Sequence, residues 1–134
     1  MDSDPLTILL EEARSPSYKV RADAASGLAT QLDSERAAQA MLSLLRDVED
    51  TAVGEAAVRA LLARGEPVAA DLVFEAVATA VDDVADHLLF FVAREHARGR
   101  VTLPLRGLAR DRATRGRGPI QGGAMDVLDT IGGE

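Results

Sequence analysis

Ten residues, Val20-Arg21-Ala22-Asp23-Ala24-Ala25-Ser26-Gly27-Leu28-Ala29, return in residue type and spacing as Val53-Gly54-Glu55-Ala56-Ala57-Val58-Arg59-Ala60-Leu61-Leu62, 33 residues later. A looser third copy begins at Val84, after a further 31 residues. That period holds two helices and their turns but cannot enclose a core of its own. Each unit must therefore cover its apolar face with its neighbours. The expected fold class is all-α: a short right-handed α-solenoid of antiparallel helical hairpins.

Composition agrees with stacked helices. Of 134 residues 47% are apolar and only 3% aromatic, with alanine, leucine and valine supplying small side chains for close helix contacts. There is no cysteine, which excludes disulfides, thiolate zinc sites and thiol chemistry. The opening Met1-Asp2-Ser3-Asp4 is acidic and leads into no basic-then-apolar leader. No uncharged apolar run approaches the ~20 residues needed to cross a bilayer, so a cytoplasmic protein is expected. The net charge of −7 is unevenly spread: residues 1–97 carry −10, residues 98–117 carry +6 with seven arginines, and residues 118–134 carry −3. An acidic body attracts basic partners.

Asp4-Pro5 reads as a cap with proline at the first helical position, followed by Leu6, Leu9, Leu10 and Ala13 on one helical face. Ser15-Pro16-Ser17 ends that helix. Helices are then expected over about 17–31 and 34–46, joined so tightly that they lie antiparallel, and over about 51–64 and 67–80. Asp50 or Thr51 caps the third of these, Gly65 stops it, and Pro67 opens the next. Asp82-Asp83 is read as the cap of a helix ending near Ala97, with Gly99 as terminator. Val101 to Asp111 is a shortened partner helix or a loop, since Pro104 fits only its first turn. Thr114 to Gly123 reads as a flexible basic linker, and Met125, Leu128 and Ile131 as one face of a short helix over about 124–131. The expected division is a repeat domain over 1–112, with repeats at about 17–46, 50–80 and a partial 82–112, followed by a glycine- and arginine-rich linker and short helix over 113–134.

These features resemble the HEAT family of α-solenoids, and specifically the short bacterial HEAT-repeat proteins. The resemblance rests on Ser17, Val20, Arg21, Ala24, Ala25 and Leu28 in the first copy, on Asp50, Val53, Ala56, Ala57 and Leu61 in the second, and on Asp82, Val84, Leu88 and Leu89 in the third. It covers about residues 15–97. It implies a scaffold or binding protein whose partner lies along the second helices, and a ladder of contacts between a turn aspartate and the helix arginine. That ladder is incomplete here: Ser17 holds the acidic position of the first copy, Gly54 the arginine position of the second, and no base follows Asp82 before Arg94.

No enzyme signature emerges, and no catalytic residue, metal ligand or cofactor is assigned. His87 and His96 are nine residues apart on one helix and do not share a site. The pairs Glu11-Glu12, Glu49-Asp50 and Asp82-Asp83 sit at helix ends, where capping and dipole effects account for them. The late glycines follow no strand and no Lys-Ser pair completes a phosphate loop.

The expected function is non-catalytic protein binding by an acidic solenoid surface, as a scaffold or regulator. Its candidate contacts are Glu35, Arg36, Gln39, Ser43 and Arg46 in the first hairpin, and Glu66, Ala70, Asp71, Glu75 and Thr79 in the second. The plainer reading is a solvated face. Among Phe74, Phe90 and Phe91, an exposed ring would mark a contact surface. Arg106, Arg110, Arg112, Arg115 and Arg117 form an electrostatic tail that docks on the acidic body; the alternative is a nucleic-acid accessory role, disfavoured by the absence of interleaved aromatics. A second alternative is a structural module that forms a homodimer through the C-terminal segment. No membrane association is expected.

Overall fold

The structure, a computed structural model, describes residues 4–102 and 104–132; Met1 to Ser3, Leu103, Gly133 and Glu134 lie outside them. Among the described residues there are eight α-helices and no strand: α1 Pro5–Glu12, α2 Tyr18–Ala29, α3 Glu35–Leu45, α4 Thr51–Leu62, α5 Pro67–Thr79, α6 Asp82–Ala97, α7 Leu105–Arg115 and α8 Gly118–Ile131. No helix among them is long and apolar enough to cross a membrane.

The boundaries follow local chemistry. Asp4 caps α1 by accepting from the Leu6 amide, Ser34 caps α3 through the Ala37 amide, and Asp50 caps α4 through the Ala52 amide at 2.8 Å. Pro67 opens α5, and Gly65 and Gly99 turn the chain at φ 79° and 69°, in the left-handed region where a glycine carries no Cβ penalty. One detail differs from the expected capping. Val81 holds the N-cap of α6, and Asp82 and Asp83 fall inside its first turn, where they face the positive end of the dipole instead of capping it.

The helices stack in two layers. The first-layer helices α2, α4 and α6 pack in sequence, and in the second layer α3 packs on α5. The two copies of the ten-residue pattern occupy matching environments: Ala24 and Ala57, Ala25 and Val58, Leu28 and Leu61, and Ala29 and Leu62 are all buried. Their apolar stripes meet Met41, Leu44 and Leu45 of α3 and Val73, Phe74 and Val77 of α5 in one continuous core. The architecture is an all-α solenoid of packed helical hairpins.

At the C-terminal end the chain departs from the sequence pattern. The stretch read as a linker is helical except at Gly116 and Arg117, and α8 begins six residues before the expected helix. The place beside α5 in the second layer belongs to α8, while α7 lies against α8 on its other flank. Gly123 makes this possible. It is buried, and a Cβ there would fall on the Phe74 carbonyl oxygen, with the Phe74 Cα only 2.9 Å away. The helix backbones touch because this position has no side chain, and the burial of Ala124 and Val127 outweighs the ~1 kcal/mol helix penalty of each glycine.

Candidate protein-binding surface

Helix α3 buries Ala37, Met41, Leu42, Leu44 and Leu45, which turns Glu35, Arg36, Gln39 and Ser43 to solvent on the opposite stripe. All four of these predicted contacts line one cavity of about 580 Å³ between α3 and α1. Its apolar wall comes from Leu10, Ala13 and Ala40, and Arg14 stands at its edge. The mixture of small apolar residues with Glu35, Arg14 and Arg36 makes a groove suited to an apolar side chain flanked by polar ones.

The other predicted contacts lie elsewhere. Arg46 is half-buried and donates to the Thr79 hydroxyl at 3.1 Å, tying the end of α3 to the end of α5. Asp71 accepts from the Arg112 guanidinium at 2.8 and 3.3 Å, and Glu75 is half-buried on the same helix. Ala70, expected to face outward, is fully buried. The reason is α8: once it lies on α5, the outer side of that helix is interior, and its row of seven buried residues reflects cover on two sides.

The arginines of the C-terminal segment divide by role. Arg106 donates to the carbonyls of Ile131 and Gly132 at 3.2 and 2.7 Å, satisfying the acceptors at the end of α8. Arg112 bridges Asp71 and Asp111; the hydrogen bond it donates to Asp71 leads the effects that hold its guanidinium pKa above the ordinary value. Arg115 is 82% exposed at its side chain and reaches Asp111 only at 3.7 Å. Arg110 and Arg117 lie on exposed positions of α7 and the α7–α8 turn.

Two ion networks tie neighbouring elements together, one between α2 and the α3–α4 turn and the other between α4 and α6. Arg21 is 8% exposed and donates to Asp47 at 2.9 Å and to the Ser15 carbonyl at 2.8 Å, while Asp47 also accepts the amides of Glu49 and Asp50. The corresponding position in α4 is Gly54, so no arginine repeats the Arg21 contact there; a Cβ would make ordinary contacts with the Leu45 carbonyl oxygen at 3.5 Å and Leu88 of α6 at 3.6 Å. A second cluster takes over between α4 and α6. Glu55 pairs with Arg59 and Arg94, and the buried Glu95 lies 3.6–3.8 Å from Arg59, Arg94 and Arg100. Nothing in the sequence pattern separates Glu95 from a surface glutamate, yet it is 2% exposed.

His87 stacks on Phe91 with ring centroids 6.3 Å apart, and His96 lines a separate shallow cavity with Val101, Pro104 and Leu105. No group of three or more metal-ligating side chains converges among the described residues. Of the three phenylalanines, Phe74 and Phe91 are buried and Phe90 is 59% exposed.

Comparison with curated proteins and with solved structures finds no match. The family model for HEAT repeats matches residues 6–89, from α1 into the middle of α6. This match and the stacked hairpins together show that the chain belongs to the HEAT-repeat family, whose members generally serve as scaffolds for protein–protein interaction.

Proposed function

We propose that this protein is a non-catalytic binding module that receives a segment of another protein in the groove between α1 and α3. The observation that carries the reading is the convergence of Glu35, Arg36, Gln39 and Ser43 on one cavity with an apolar wall of Leu10, Ala13 and Ala40. The segment it suits presents one or two apolar side chains with polar and charged neighbours. Basic residues beyond the groove are drawn by the −10 charge of residues 1–97. A nucleic-acid role for the arginine segment has less support, because Arg106 and Arg112 are spent on internal contacts.

Selection of binders from a displayed peptide library against the whole protein tests this. Ala40→Arg fills the groove from an outer position of α3, and thermal melting checks that the fold is kept. The selected peptides are expected to lose binding to A40R and to shift the amide resonances of α1 and α3. Peptides that bind A40R unchanged, or that respond only to Arg115→Glu and Arg117→Glu, would overturn the reading.

A further inference from the structure

A solenoid helix in the first layer is normally covered on both flanks. Helix α4 has α2 on one side and α6 on the other, but α6 has only α4, with α5 and α8 beneath it. The chain turns away after Gly99 to place α7 and α8 in the second layer, so the C-terminal end of the stack is closed there and open in the first layer. Asp83, Asp86, Phe90, Ala93 and Ala97 fall on the open side at alternating three- and four-residue steps, the spacing of a helix-pairing seam. Phe90 stands near its centre. Its ring meets Phe91 edge-on at 6.0 Å and lies under the Arg94 guanidinium at 5.6 Å, which holds an exposed aromatic in a fixed pose.

The charges along this face say what covers it. Asp82, Asp83 and Asp86 occupy the first half of α6, and Arg94 and Arg98 follow Phe90. A helix with acid before its midpoint and base after it complements a second copy of itself running antiparallel. With Phe90 at the two-fold axis, residues equally far before and after it face each other. Asp83 then meets Arg98 of the second copy on each side of the axis, while Arg94 stays paired with Glu55 of its own chain. The alanines at 93 and 97 let the backbones approach. The same residues run parallel would oppose like charges.

We propose that this face of α6 is an isologous self-association surface, on which two copies pair antiparallel through Phe90. It is separate from the α1–α3 groove and leaves both grooves free, giving a bivalent scaffold. A single helix pair is a small interface, so the dimer is expected to dissociate on dilution.

Sedimentation velocity of the full-length protein over a wide concentration series tests this, with circular dichroism confirming the fold of each variant. Wild type is expected to move from monomer to dimer as concentration rises, and Phe90→Asp to remain monomeric. Asp83→Arg and Arg98→Asp, each placing two like-charge pairs across the axis, are expected to weaken association about tenfold or more, and the double swap to restore it. Ala40→Arg leaves the dimer intact, so failure of the groove and of this surface are read separately. A wild type that stays monomeric throughout would overturn the proposal. So would a dimer that F90D leaves unchanged, or charge reversals that the double swap fails to rescue.

Discussion

Gly122 and Gly123 are neighbours in α8, and alanine is expected to act on them in opposite directions. In a helix interior, replacing glycine with alanine gains ~1 kcal/mol, because the unfolded chain loses conformational freedom that the helix never uses. Gly122 is exposed with nothing within 4 Å of the new Cβ, so Gly122→Ala takes that gain in full. Gly123 faces the Phe74 carbonyl and has the Phe74 Cα at 2.9 Å from the new carbon. The obstruction is backbone, which has no rotamer to escape into, so α8 must move off α5. Overpacking costs ~1–3 kcal/mol, and a rigid obstacle places this site at or beyond the upper end. The net loss is ~2 kcal/mol. For a domain of this size that lowers the melting temperature by ~6–10 °C, while Gly122→Ala raises it by ~3 °C. Thermal and urea unfolding of the two variants against wild type measure this, and amide exchange in α8 shows whether the helix has loosened. If Gly123→Ala is as stable as Gly122→Ala, α8 does not lie on α5 as described, and the account of the C-terminal end fails.

Removing one member of the Arg21–Asp47 pair strands a buried charge and, for Asp47, two loop amides. Arg21→Ala and Asp47→Ala should each destabilise by ~3 kcal/mol, while the double variant should cost less than their sum in urea unfolding. The Arg112–Asp71 bridge is about three-quarters buried, and Arg112→Ala should cost ~1 kcal/mol and expose α7 and α8 to limited proteolysis first. Because the bridge raises the Arg112 pKa, its contribution is complete below the ordinary arginine value and is lost only as pH rises through the still higher folded value. Stability profiles of wild type and R112A should therefore run parallel through the neutral range, and profiles that converge there would contradict the assignment.

Much of the first ninety residues is legible in the sequence because the information there is local and repeated. Ser34, Asp50 and Pro67 set helix starts by satisfying or lacking single backbone groups, and the recurrence of Ala24, Ala25 and Leu28 as Ala57, Val58 and Leu61 marks the stacked face. Four of the candidate contacts on α3 share a groove because one amphipathic helix was enough to place them on one side. The groove itself needs α1 as its second wall, and that proximity is a tertiary fact.

What the chain alone determined, then, is a two-helix period that forces stacking, an acidic body and an arginine-rich segment. Its three-dimensional packing decided which glycines are linkers and which are contact points. Gly122 and Gly123 look alike in sequence, yet only the second admits the Phe74 backbone, and that contact makes α8 the neighbour of α5, buries Ala70 and joins Asp71 to Arg112. The physical reason is that helix propensity is a property of a residue, whereas close approach is a property of a pair. No periodicity along one segment records what another segment, tens of residues away, will bring against it.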